Sequence, residues 1–524
     1  MVRELGWAGL ALVVCGVTTS NFASAQVLQN ASFLGGSQFD HARDVTVDNQ
    51  GFIYVTGGTD NPYWTTTQTI LTPGMKESGS VQSMDIFVCK LDPTAQTIIW
   101  ATRIGGPNYE RAYAIEVDSQ GYVYVAGRAG NGAPITNGAF QATFQGGVGA
   151  SFYGNQDGYV LKLTPDGGSL VWASYFGADD ALSSTIIRDI AIDQNNNLFL
   201  AASVASGATY PPSVAAAFQN SPLGADDNVI AKVAADGASL LWARYLGGTG
   251  VEEGVPSIRV DSAGNVVYLT LSSSSDAPTT PNAYRAMKAG GTDFYISKFS
   301  AAGALIFATF LGGSNDELLE THQLAIGPQN AIYIGAGTLS IDYPTTPGAY
   351  DRTHNGNGGA GTGANTNYPG DIAASILSSD GTTLIASTYV GGQYGESAEG
   401  VAVDAQGNFY LTGATFSGDF PVSPGAFQVV RQGLVDAFFV KLSPDLTRLT
   451  YATFFGGSGN EAGRAAWTDA AARFYMVGEV GGPGAQTMPT AKAFQSAYGG
   501  TTDSFVVRFG DSLAPRSPSN LTVQ

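Results

Sequence analysis

Six acids, Asp40, Glu110, Glu253, Glu317, Glu396 and Glu461, recur just after a glycine pair. Gathered into a ring, such carboxylates would offer the oxygen ligands that Ca²⁺ or Mg²⁺ takes. Alternatively, each acid caps its own turn or pairs with a cation that recurs with it, at Lys90, Lys162, Lys232, Lys298 and Lys441, with Arg508 in the last unit. A group present in nearly every unit meets a need that every unit has, so the structural role is favoured and no cofactor is assigned. The same reading covers Asp85, Asp157, Asp227, Asp293, Asp371, Asp436 and Asp503.

The non-repeated chemistry is sparse. His41, His322 and His354 have no metal-ligand spacing, and no nucleophile elbow appears. His41 beside Asp40, and His322 near Glu317 and Glu320, are the places where the acid/base site of a polysaccharide hydrolase or lyase could begin. Cys89 lies in an apolar strand and reads as a small core residue rather than a nucleophile. The aromatic residues of the long connections, Tyr63, Trp64, Tyr153 and Tyr210, could stack on sugar rings or anchor a protein partner. They could equally cover the apolar flank of the fold.

The elements that must position these groups are repeated. Phe33-Leu34-Gly35-Gly36 returns as variants ending at 106, 178, 248, 313, 392 and 457, a period of 65 to 79 residues. After the glycines comes an alternating segment closed by Asp-x-x-Gly, as in Val45-Thr46-Val47-Asp48-Asn49-Gln50-Gly51. Asp bonds the backbone two residues on, and Gly accepts the positive φ of the turn. A β-branched and aromatic second strand follows, such as Phe52 to Gly57, then a long connection containing proline, a third strand (Asp85 to Leu91) and a fourth (Ile99 to Thr102). Four short antiparallel strands per unit make one blade of a β-propeller.

The seventh unit, from Glu461 onward, has no fourth strand. The missing strand is Asn30 to Leu34, which aligns with Tyr451 to Phe455. The expected fold is therefore all-β: a seven-bladed propeller whose ring is closed by the N-terminal strand pairing into the last blade, which also satisfies an open edge.

The stretch Tyr389-Val390-Gly391-Gly392-Gln393-Tyr394-Gly395-Glu396 through Asp404, Gly407, Tyr410 and Gly413, then Phe420-Pro421, Pro424-Gly425-Ala426-Phe427 and Asp436 to Lys441, resembles the bacterial SBBP beta-propeller repeat proteins. The resemblance covers about residues 30 to 510. Unit three departs from it at Gly177-Ala178, and unit five has Gly327 and Ile376 where Asp and Lys are expected. It implies a secreted or surface-exposed bacterial propeller, commonly part of a larger modular protein, with no general enzymatic activity.

A net charge of −19 and 13% charged residues fit an extracellular all-β protein and exclude a nucleic-acid binder that needs a basic face. Arg3, the apolar run Leu5 to Val17 and Ala23-Ser24-Ala25 have the form of a cleavable signal peptide over 1–25, too short to be a membrane anchor. Residues 26–510 form the propeller. Residues 511–524 form a proline-rich tail like the start of a fibronectin type III-like domain. The expectation is a secreted or cell-surface noncatalytic binding or scaffold module, monomeric or part of a larger assembly. Its ligand, a glycan or a protein, is held by the long strand two to three loops; the alternative is an extracellular polysaccharide-acting enzyme with its site at the channel mouth.

Overall fold

The computed structural model describes residues 26–60, 84–146, 153–179, 185–205, 209–224, 226–252, 254–320, 322–356 and 370–511. Seven antiparallel sheets are arranged in a ring, six of four strands and one whose inner strand is broken in two. The first blade comprises Asp40–Val47, Ile53–Thr59, Asp85–Leu91 and Ile98–Ile104, and the plan repeats down the chain. Each inner strand packs on the inner strands of the blades beside it, the first on the last included. Among the described residues no helix is long and apolar enough to cross a membrane.

The seam lies where the repeat count puts it. Gln26–Leu34 pairs antiparallel with Thr502–Asp511, in a register running from Gln26 opposite Asp511 to Leu34 opposite Ser504. Ala31, Phe33 and Leu34 are fully buried there. The signal-like segment 1–25, the tail after Asp511, Tyr63 and Trp64 lie outside the described residues.

Core side chains meet between blades rather than within one. Tyr124 and Val160 of the second blade pack with Leu198, Leu200 and Val229 of the third. Tryptophans of the outer strands reinforce this: the indole N–H of Trp100 donates to Pro165 O at 3.2 Å, and that of Trp172 to Ala235 O at 3.2 Å. Gly167, at φ 67°, lets the next blade's turn lie flat on Trp100, since a Cβ there would come within 2.6 Å of the ring.

The Asp-x-x-Gly turns close as their residues dictate. Asp404 Oδ1 accepts from Gln406 N (3.0 Å) and Asn408 N (2.9 Å), while Oδ2 takes the Tyr410 hydroxyl at 2.8 Å. The repeated lysines pair with these turn acids, Lys232 with Asp193 at 2.9 Å and Lys298 with Asp261 at 2.7 Å. Blade five closes without the Asp: Gly327 N donates to Ala331 O, and Gln329 and Asn330 take the left-handed conformation.

Candidate functional site

The acids after the glycine pairs do not ring the channel. They sit in the turns that join one blade to the next. Gly36 N donates to Asp40 Oδ2 (2.7 Å), Gly106 N to Glu110 Oε2 (2.9 Å) and Gly392 N to Glu396 Oε2 (3.1 Å). Thr415 Oγ1 donates to the other oxygen of Glu396 at 2.9 Å. In each of these three acids a donor of the turn takes one carboxylate oxygen. In the fourth blade the position belongs to Glu252, which accepts from Ser272 Oγ at 2.8 Å; Glu253 lies outside the described residues. Of the two structural roles expected, turn capping is the one present, the lysines being taken by the hairpin acids.

Each capping acid faces the strand-three Asp of the preceding blade across the first glycine of the pair. A Cβ on Gly391 would lie 2.5 Å from Asp371 Oδ1 and 2.9 Å from Glu396 Oε2. Burial, with the neighbouring carboxylate adding to it, pushes Asp40 up to about 7 and Glu110, Glu317, Glu396 and Glu461 up to about 8. Among the described residues no three of His, Cys, Asp or Glu converge as metal ligands.

The described parts of the long connections lie back on the blades. Their proline-containing segments lie along the outer strands: Ser423 N donates to Ala452 O at 3.0 Å and Phe454 N to Gln428 O at 3.2 Å. They cover edges that would otherwise be open. Tyr210 is buried, its ring stacked on Phe176 at 5.4 Å and close to Phe218 at 4.9 Å. It offers no face to a ligand, a correction that follows from packing its ring between two others. Tyr210→Ala should cost about 3 kcal/mol of stability, read as a lower midpoint in urea unfolding. Tyr153 is 39% exposed and stands at the channel mouth.

What differs between blades is the inner strand. In five blades its pairing with strand two carries a bulge, and the extra residue is Arg43, Tyr113, Arg188, Glu399 or Arg464. A bulge re-aims a side chain that regular alternation would place elsewhere. Glycines of strand two make room: a Cβ on Gly57 would lie 1.7 Å from His41 O, and one on Gly127 2.0 Å from Arg111 O. Four of the five bulged blades carry this glycine, the third having Ala202, while the bulged residues are three arginines, a tyrosine and a glutamate. That contrast is the signal that could have found the site; reading the glycine as the end of strand two hid it.

At the loop-side mouth four guanidiniums gather around tyrosines. Arg111 donates to the Tyr113 hydroxyl, and its guanidinium carbon is 4.8 Å from that ring. Arg188 lies 5.0 Å from Tyr113, and Arg128 lies 4.2 Å from Tyr153 and 4.9 Å from Tyr109. Tyr109 and Tyr153 pack at 4.7 Å, held by Gln156 Nε2, which donates to both their carbonyls. Burial alone would raise the Tyr113 phenol, but Arg111, Arg188, Arg128 and Arg43 bring it down to about 7.

Beside this cluster His41 Nδ1 lies 2.5 Å from Glu479 Oε2, and Arg464 ties Glu479 to Glu399. Burial lowers His41 to about 4, so the neutral imidazole donates its Nδ1 proton to Glu479. Its partner is therefore Glu479 and not Asp40. His322 likewise belongs to neither Glu317 nor Glu320. Buried mid-channel at φ 62°, it places Nε2 2.8 Å from Tyr113 O and Nδ1 3.4 Å from Asp189 Oδ1. Burial opposes its charge, yet Asp44 and Asp189 hold it above its ordinary value. Asp44 and Asp189 also stitch neighbouring inner strands, accepting from Ile115 N (2.8 Å) and Ile258 N (2.9 Å). His354 sits away from the channel, its Nε2 3.2 Å from Thr338 O. Cys89 is fully buried and its thiol pushed up by burial, leaving it inert.

The far end of the channel is a cavity of about 330 Å³ at the hairpin side. Its walls include Ile192, Ile326, Val401 and Trp467, with Glu116 and Arg259 also lining it.

No family model matches the chain, and no curated protein matches it. Among solved structures, the quinohemoprotein alcohol dehydrogenase from Comamonas testosteroni is similar at 11% identity and TM-score 0.44, over 95% of this chain and 78% of that one. The polysaccharide lyase Uly1 is similar at 9% identity and TM-score 0.42, over 93% and 98%. A protein of unknown function from Dyadobacter fermentans DSM 18053 is similar at 11% identity and TM-score 0.39, over 93% and 100%. Likenesses this distant assign no activity to the chain.

Proposed function

We propose that this chain is a secreted or surface-exposed, noncatalytic binding propeller of the SBBP kind, holding a glycan or protein at the loop-side mouth of its channel. One observation carries the reading: the bulged inner-strand residues are where the blades stop being alike, and all of them belong to the channel wall. Sites on repeat scaffolds come from such departures. A second reading, an extracellular polysaccharide-acting enzyme, is favoured by Tyr113, whose phenol exchanges a proton near neutrality. Tyr113 is only 2% exposed, however, beneath the arginines that tune it. A binding role needs no buried base, so it ranks first.

A glycan array and a polymer-degradation assay with the chain from Gln26 onward test the two together. Tyr153→Ala should weaken capture about tenfold, the loss of one stacking face, without moving the melting temperature. Full affinity in that variant removes the mouth from consideration. Turnover of a captured polymer that disappears in Tyr113→Phe establishes the second reading.

A further inference from the structure

We infer that the ligand of the loop-side mouth is an acidic saccharide, whose carboxylate or sulfate groups are received by Arg43, Arg111, Arg128 and Arg188. This rests on the mouth being the binding site and adds what enters it.

The first support is charge. Among the described residues none of these four arginines forms an ion pair with a carboxylate, whereas Arg103, Arg259, Arg464 and Arg473 each do. The Nε of each of the four is buried without a hydrogen-bond partner. The described hydrogen bonds of Arg111 and Arg128 go to the phenol oxygens of Tyr113 and Tyr109. Glu479 acts on Arg43 and Glu320 on Arg188 only at longer range, and buried or partly buried guanidiniums that no ion pair neutralises are costly unless an anion arrives. The planar fork of arginine matches the two oxygens of a carboxylate or sulfate.

The second support is the setting of that charge. The chain holds only 24 lysines and arginines against 43 acids. Concentrating four of those cations in one mouth, spread over three blades, is contrary to the charge of the whole. The acidic surroundings repel an extended polyanion, so the socket suits one or two anionic groups on a short chain. A nucleic acid would instead require a basic stripe along the surface.

The third support is the pair of tyrosines. Arg128 lies over the rings of Tyr109 and Tyr153, and Tyr153 is 39% exposed. Aromatic faces beside anion receptors fit a ring carrying both an apolar C–H face and a charged substituent.

Calorimetry with the chain from Gln26 onward tests this with five probes: tetragalacturonate, a chondroitin sulfate tetrasaccharide, cellotetraose, a hexaglutamate peptide and a ten-residue oligothymidylate. One or both acidic saccharides should bind at least 100-fold more tightly than cellotetraose, with affinity falling steeply between 20 and 300 mM NaCl. The uronate and sulfate arms decide which oxyacid is preferred. Arg111→Gln and Arg128→Gln should each lose tenfold or more, while Arg473→Gln, remote and paired with Asp469, leaves binding unchanged. Should the mouth variants fail to fold, inorganic sulfate supplies the check in the wild type. At matched ionic strength it should compete with the saccharide and raise the melting temperature relative to chloride. Equal binding of cellotetraose overturns the inference while leaving the mouth as the site. Preference for the peptide or the oligonucleotide overturns it in favour of another class of partner. Binding of no probe, with no sulfate effect, overturns both the inference and the site.

Discussion

Deleting residues 26–36 should lower the melting temperature by about 10 °C or more, or leave the protein aggregated, whatever the state of its channel. The deletion removes the whole outer strand of the seventh blade and leaves Thr502–Asp511 as a bare edge. Phe33 and Leu34, both fully buried, take with them roughly 1.5–3 kcal/mol each of apolar burial. The ladder contributes a further ~0.5–1.5 kcal/mol for each hydrogen bond lost. Polar groups add to the effect, because Asn30 Nδ2 donates to Lys492 O at 2.9 Å and Ser32 Oγ accepts from Gln495 N at 2.9 Å. A synthetic peptide of residues 26–36 should restore part of the loss when added back. An unchanged melting curve would show that the seam contributes nothing to closure.

The second large effect is of pH. Asp40, Glu110, Glu317, Glu396 and Glu461 keep their protons up to about 7 or 8 in the fold, while the unfolded chain releases them in the ordinary carboxylate range. Between those limits the native state binds more protons than the unfolded state, so raising the pH destabilises it. The stabilisation is complete below the ordinary carboxylate range and is lost as pH climbs through about 7 to 8. His41, held down to about 4, acts oppositely, because acidification below its ordinary value charges it only in the unfolded chain. Tyr113, held down to about 7, returns some stability at alkaline pH. Five groups outweigh two. Melting should therefore be highest near pH 4 to 5, at the ordinary carboxylate range, and fall by about 5 °C or more by pH 9, measured by calorimetry at constant ionic strength. Glu396→Gln should flatten this slope, since the amide can donate toward Asp371 without titrating, and added Ca²⁺ should not restore it. A profile flat from pH 6 to 9 in the wild type would mean that the carboxyl pairs share no proton.

The ring and its seam were legible from the sequence because both rest on local chemistry that repeats. Asp48 and Asp404 form the same turn as their neighbours, and strand four of the last unit is missing from one end only to appear at the other. The role of the acids was legible in kind, since regularity argued for a structural duty. Its partner was not, because Glu396 and Asp371 are brought together only by the joint between blades. The mouth was hidden for a different reason. Alternation says which way a side chain points in an ideal strand, and a single bulge reverses it. Nothing in the sequence pattern therefore set Arg43, Arg188 and Arg464 apart until the ring drew the inner strands together. For Tyr210 the sequence left two outcomes open, a ligand contact or a cover of the apolar flank, and the packing of its ring on Phe176 decides for the second.

The seam also sets a clock. Gln26 and Asp511 are joined across 485 residues, Gln26 Nε2 donating to Asp511 Oδ1 at 2.5 Å. A chain made from its N-terminus at about 5–20 residues per second offers the first of these partners roughly 25–100 s before the last exists. Throughout that interval Phe33 and its strand must wait with no edge to join, while six complete blades can assemble without them. Because the entropy of closing a loop grows only with the logarithm of its length, this separation delays closure far more than it weakens it. The newborn protein thus passes through an obligatory open arc, and whatever protects an unpaired strand during that time acts on residues 26–34 first.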